Sequence, residues 1–200
     1  VYVSENGSDD ADGLSAESAV KTFGQAYTVL TSGSEHPDAG TIYVSGTVDV
    51  PSDYSTPETG FPVTITSVKN GDGNLKIKGN LFLNGATTFD EIQMTAVVKG
   101  LRYIVANCHA LTIGDGVECI PAGTYYLNLV GGGFNEDITG NADLTICGGQ
   151  WNNVYGASYC GSKANSKIMT GDVSIHISGG TISTLAGGTY LGGVRGSISI

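Results

Sequence analysis

The densest chemistry in the chain lies near its start, where Asp9, Asp10 and Asp12 crowd a loop between Glu5 and Gly13. Hard cations want several oxygens at once, and closely spaced carboxylates in a glycine-punctuated loop can supply them, so Ca2+ is the ion this loop could take. The spacing departs from the EF-hand pattern, and no glutamate stands at its closing position. The same residues also make a solvated turn in which Asp side chains bond nearby backbone, with no ion at all. Asp9-Asp10 and, far downstream, Glu136-Asp137 resemble the carboxylate pairs of glycoside hydrolysis. That reaction needs two carboxyls about 5 to 9.5 Å apart across a cleft, one with a raised pKa. The first pair precedes the strands and the second follows Gly131-Gly132-Gly133, so turns are expected at both.

Other reactive types are sparse. The histidines are His36, His109 and His176. His176 stands between Ile175 and Ile177, so strand alternation points it outward. Cys108-His109 has the makings of a nucleophile and base, but sequence neighbours on a strand face opposite sides, which argues against a thiol enzyme. Cys108, Cys119, Cys147 and Cys160 match no zinc spacing and allow three disulfide pairings or none. Aromatic residues offer a binding alternative: Tyr125, Tyr126, Trp151, Tyr155, Tyr159 and Tyr190 follow glycine-rich corners. A row of exposed rings could hold a glycan, with Tyr155, Tyr159 and Tyr190 as its residues. Trp151 aligns with Ile182 and is expected in the core, whereas Tyr155 aligns with Ala186 and is expected outside.

These alignments come from the elements that would have to position the side chains. Gly140 to Gly156 and Gly171 to Gly187 are one pattern written twice, with Gly149 matching Gly180 at an offset of 31. The offset carries Leu144 to Ile175, Ile146 to Ile177, Val154 to Leu185 and Tyr159 to Tyr190. A fixed period of this size signals a stacked repeat protein. Alternation at Leu144/Ile146 and Val173/Ile175/Ile177 has the two-residue period of a strand with one buried face. Paired glycines supply the corners.

Upstream, short strands are expected at Thr41–Val44, Val48–Val50, Val63–Ile65, Leu75–Lys78, Leu81–Leu83, Phe89–Ile92, Tyr103–Ala106, Leu111–Ile113 and Tyr125–Leu129, with an excursion between Pro51 and Pro62. A β-sandwich would also give short strands, but only Asn70-Gly71 and Asn84-Gly85 are hairpin-like, and the repeat argues against it. Residues 1–40 differ: a strand, the acidic loop, then a helix with Thr22 and Gln25 in capping-box spacing and Phe23, Ala26, Tyr27 and Leu30 on one face, ended by Gly33 and Pro37. Such a helix would cap the open end of a solenoid running through 41–200. Gly196 to Ile200 is again alternating, so further coils or a cap are expected C-terminal to residue 200.

Gly is 31 of 200 residues, about twice the usual roughly 7%, and sits at corners. The net charge of −10 repels phosphate backbones and disfavours nucleic acid as a partner. No run approaches the roughly 20 apolar residues that cross a bilayer, so no membrane insertion is expected in this segment.

One resemblance gathers these features. Val1-Tyr2-Val3-Ser4, Asn6-Gly7-Ser8-Asp9-Asp10 with Asp12-Gly13, Ser18-Ala19-Val20-Lys21-Thr22-Phe23 with Ala26-Tyr27, and Gly40-Thr41-Ile42-Tyr43-Val44-Ser45-Gly46 resemble the opening of right-handed parallel β-helix domains of the pectate-lyase-like superfamily. Phe89-Asp90-Glu91-Ile92, Ile104-Val105-Ala106-Asn107 and Leu111-Thr112-Ile113-Gly114-Asp115-Gly116-Val117 resemble the versions in large surface proteins of Gram-positive, often gut-dwelling bacteria. The resemblance implies an all-β, single-stranded right-handed solenoid in a secreted or cell-surface setting, where disulfides are permitted. Members range from lyases and hydrolases to stalks, so the fold leaves activity open. Lyases of this kind use Ca2+ on carboxylates and a Lys or Arg base on the flank. Here Lys76, Lys78, Lys99, Arg102, Lys163, Lys167 and Arg195 form no cluster with aspartates on one face. The expectation is a non-catalytic stalk or adhesin-like module that meets surface glycans or a host-surface protein. A carbohydrate-active enzyme or its substrate-binding arm is the alternative, and a self-assembling filament subunit the third reading.

Overall fold

The computed structural model describes the whole chain except residues 34–36, 70, 98–99, 122, 124–125 and 164–165. His36, Lys99, Tyr125 and the first residue of Asn70-Gly71 therefore lie outside the described residues. The regular structure of the rest is strand apart from one helix, and every strand pair among the described residues is parallel. Among the described residues no helix is long and apolar enough to cross a membrane.

The strands stack into faces. The first holds Tyr2–Ser4, the first half of Gly40–Val50, then Val63–Ser67, Thr87–Phe89, Ala110–Ile113, Ala142–Ile146, Val173–Ile177 and Ile198–Ser199. The second holds the latter half of Gly40–Val50, then Gly73–Ile77, Gln93–Ala96 and Glu118–Ile120. Tyr54–Ser55, Leu81–Phe82, Arg102–Val105, Leu127–Val130, Gln150–Tyr155 and Thr181–Ala186 make the third. A short fourth ladder joins Ile138–Thr139, Ile168–Thr170 and Gly193–Arg195. The chain visits the faces in turn and returns to the first one strand further on, an arrangement compatible with a parallel β-solenoid. Gly40–Val50 shows how a corner is made: it belongs to two faces and turns at Gly46, whose φ of +67° suits a residue without Cβ. A Cβ there would also lie 2.7 Å from the Glu5 side chain.

Register does the packing. Ile42, Ile65, Phe89, Ile113, Ile146 and Ile177 pair one with the next along the first face. All but the last are fully buried, each stabilising the stack by roughly 1.5–3 kcal/mol. One position away, Thr41, Thr64, Thr88, Thr112, Thr145 and His176 form the matching outward column, a run of cross-strand threonine pairs. His176 is exposed, as alternation requires. The repeat at offset 31 is reproduced residue for residue, with Leu144 on Ile175, Trp151 on Ile182, Val154 on Leu185 and Tyr159 on Tyr190.

Two regions differ from the sequence reading. Earlier circuits advance by 24 residues, from Val63 to Thr87 to Leu111, and Phe89 is the last residue of its strand, so Asp90–Ile92 is a corner. The stretch between Pro51 and Pro62 carries the first strand of the third face, Tyr54–Ser55. The second face stops at Glu118–Ile120, because Gly148-Gly149 turns the chain from the first face directly to the third. Gly148 lies so close to the carbonyls of Gly114 and Asp115 that a Cβ would clash. Trp151 fills the space behind that corner, fully buried, with Nε1 donating to the Gly148 carbonyl at 3.0 Å.

The helix spans Phe23–Thr31, with Thr22 as N-cap accepting from the Gln25 amide at 3.1 Å. Phe23, Ala26 and Tyr27 are buried against the first circuit, and Leu30 packs at the margin. The helix stops one turn's cap short of Gly33, where Ser32 donates its backbone N–H back to the Val29 carbonyl.

Candidate functional site

The acidic loop is occupied with holding the helix. Asp9 Oδ1 accepts from the amides of Lys21 at 2.9 Å and Thr22 at 2.8 Å, taking the N-cap donor that a reciprocal capping box would give to Gln25. Asp12 Oδ1 accepts from the Leu14 amide and the Ser18 hydroxyl. Partial burial pushes the Asp9 carboxyl up, but the Thr22 and Lys21 donors outweigh it and leave it below the usual range. The Ser18 hydroxyl and the Leu14 amide hold Asp12 low in the same way. Asp10 lies exposed, its amide donating to the Ser8 hydroxyl. Downstream, Asp137 Oδ1 accepts from the Ile168 amide at 2.7 Å, tying its circuit to the first residue of the strand Ile168–Thr170 in the next.

The carboxylates that do converge are others. Asp90, Glu91 and Asp115 bring one oxygen each to within 4.8 Å of one another, the one such group among the described residues. They stand on successive corners between the first and second faces. Asp90 and Glu91 follow Phe89, and Asp115 follows Ile113, the residue paired with Phe89. The glycines around Asp115 permit this: a Cβ at Gly114 would strike the Asp90 carboxylate, and one at Gly116 the Glu91 carboxylate. Glu91 adopts φ +46°, unusual outside glycine. A cavity of about 290 Å³ opens on one side among Gly71, Gln93, Gly116 and Glu118. Another of about 450 Å³ opens on the other, over Thr88, Thr112, Cys147 and Ser178. Three such oxygens could hold a hard cation. The step of 24 residues was the signal that would have aligned Asp90-Glu91 with Gly114-Asp115.

A third cavity, about 370 Å³, lies where three circuits turn back to the first face, and is lined by Glu58, Phe61, Asn84 and His109 among others. Beside it Cys108 sits at φ +62°, and burial pushes its thiol up to about 11, the opposite of an activated nucleophile. Burial likewise pushes Cys119 up to about 12, against a smaller opposing effect of the Gln150 backbone. Cys108, Cys119 and Cys147 are free thiols, and Cys160 donates Sγ to the Ser162 carbonyl at 3.2 Å. Of the cations named from the sequence, Lys78 pairs with Asp49 at 2.6 Å beside the second face.

The aromatic row is real but differently built. Phe134, Tyr159 and Tyr190 form one column of stacked rings, with centroids 5.1 and 5.2 Å apart and planes within 16° and 7°. Tyr103 and Tyr155 lean against it, and Phe82 touches Phe134 edge-on. Tyr155 is only 7% exposed, which corrects the expectation that it faces solvent. Its small neighbour in register, Ala186, leaves room for the ring to lie on Tyr159 and Tyr190 instead. The row covers the outer side of the third face and buries Val105 and Val130, while Ile104 and Leu129 on the inner side belong to the main core. A sugar stacks on a free ring face, and in this column the faces close on one another. Tyr190, 43% exposed, is the ring most open to solvent. No family model, curated protein or solved structure matches the chain.

Proposed function

We propose that this chain is a segment of a right-handed parallel β-helix of the pectate-lyase-like kind, serving as a non-catalytic extracellular module. In this reading it is a stalk or adhesin-like spacer of a bacterial surface protein, with surface glycans or a host-surface protein as partners. The observation that supports it best is the column from Ile42 to Ile146, in which each circuit's core residue is covered by the next. A chain packed this way resists bending along its stack, because deforming it opens buried contacts in every layer at once. Glycan contact, on this account, belongs to Tyr190 and not to the ladder as a whole.

The second reading, a lyase or hydrolase, is favoured by the convergence of Asp90, Glu91 and Asp115 between two cavities. One experiment separates the two. The protein is incubated with a panel of neutral and acidic polysaccharides, with and without Ca2+, and new reducing ends and unsaturated products are measured. The spacer reading predicts no turnover on any of them. Turnover that disappears in Asp115→Asn would replace it with the enzyme.

A further inference from the structure

The stacked phenols are more than the packing of the third face requires, since Phe134 and Phe82 fill the same row without a hydroxyl. We propose that Tyr159 and Tyr190 are an oxidative cross-linking site, which a one-electron oxidant of the peroxidase class, fed by hydrogen peroxide, closes into a dityrosine bond. The two residues hold equivalent places in successive circuits and face each other as a parallel bridge. Their backbones are pinned on both sides: the Tyr190 amide donates to the Ser158 carbonyl at 3.0 Å and the Cys160 amide to the Tyr190 carbonyl at 2.9 Å. The rings lie 5.2 Å apart with planes 7° from parallel. That nearly parallel stacking sets the two phenol rings face to face with no other ring between them.

The neighbours narrow the choice of partner. Phe134 closes the far side of Tyr159 and has no phenol to oxidise. Tyr155 touches both tyrosines, but its plane is inclined by 50° and 47° to theirs, so it is stacked on neither. Tyr103 is buried and tilted by 39° to Tyr159. Tyr190 is the exposed member, within reach of an oxidant in solvent. In the reaction each phenol gives up one electron and one proton, and the peroxide is reduced to two waters. The two phenoxyl radicals join through their ortho carbons, and the hydrogen on each of those carbons moves to its oxygen, restoring both phenols. The product has lost two hydrogen atoms and ties two successive circuits together.

The test treats the dilute, folded protein with a haem peroxidase and hydrogen peroxide, then reads dityrosine fluorescence in the monomer and sequences cross-linked peptides by mass spectrometry. A single intramolecular link between the peptides holding Tyr159 and Tyr190 is expected. Tyr190→Phe and Tyr159→Phe should abolish it, and Tyr155→Phe and Tyr103→Phe should leave it, with circular dichroism confirming that all four variants fold. No link while free tyrosine is oxidised in the same tube, a link through Tyr155, or links that form only between molecules would each overturn the assignment.

Discussion

At one end of the stack Phe23, Ala26 and Tyr27 of the helix lie on the first circuit and are buried. At the other, Ile177, Leu185, Ile198 and Ile200 have the same aliphatic character and stand open, Ile177 at 38% exposure. The strands themselves are alike, and Ile177 even belongs to the column that is fully buried as far as Ile146. Burial of a position in such a stack is therefore conferred by its neighbour and not by its own residue type. That is the behaviour of a nearly one-dimensional array, whose stability is a sum of layer and interface contributions.

The contrast can be broken most sharply at the two ends. Phe23→Ala should cost about 3–5 kcal/mol, because it opens a cavity under the cap. Ile198→Ala should cost less than about 1 kcal/mol, since much of that side chain already meets water. Urea denaturation followed by circular dichroism measures both, and equal costs would mean that the ends are packed alike. The next effect compares neighbours within one column: Ile146→Ala should cost about 2–5 kcal/mol and Ile177→Ala about 1 kcal/mol.

A smaller effect with the opposite sign is expected beside the aromatic row. Tyr103 is buried and its hydroxyl has no hydrogen-bond partner. Burial first, and then the neighbouring tyrosines, raise its pKa above the usual range. Tyr103→Phe removes the unsatisfied group and should stabilise the protein by about 1 kcal/mol, read as a higher urea midpoint with an unchanged slope. The smallest effects are those of pH. Asp9 ties the helix cap and Asp172 ties the last strand, accepting from the Ser197 amide at 2.8 Å and its hydroxyl at 2.9 Å. Both carboxyls are held below their ordinary values: Asp9 by the Thr22 and Lys21 donors against the upward push of burial, Asp172 by the Ser197 amide and hydroxyl. A depressed folded-state pKa gives stability that is present above the ordinary carboxylate range and lost as pH falls through the folded value. Hydrogen exchange below that range should therefore rise first at Lys21 and Thr22 and at Ser197. Asp9→Asn should remove the pH dependence at Lys21 and Thr22 only, and Asp172→Asn at Ser197 only.

Much of this arrangement was legible where two circuits share a length. Leu144 and Ile175, or Tyr159 and Tyr190, are similar residues at one offset, and their pairing followed directly. The earlier circuits hid theirs because the aligned residues differ in kind, Thr87 against Leu111 and Phe89 against Ile113. With the step of 24 unread, Asp90, Glu91 and Asp115 stayed apart on the page although they meet in space. Asp9 and Asp12 drew notice as a cation loop because charge density is visible in a sequence, whereas the amides that engage them are set by the fold. Tyr155 was misplaced for a related reason. Ala186 suggested an outward position, but a corner thirty-odd residues on brings Tyr190 over it and closes a second apolar cluster outside the third face.

The central claim is that successive circuits lie in parallel register with one aliphatic residue resting on the next. Methyl-labelled nuclear Overhauser spectroscopy tests it most directly, at Leu111, Leu144 and Ile175, which pair in that order. The account predicts cross-peaks from the Leu144 methyls to both Leu111 and Ile175. If the Leu144 methyls reach neither, or reach residues that only an antiparallel return of the chain would bring beside them, the register is wrong and the stack with it.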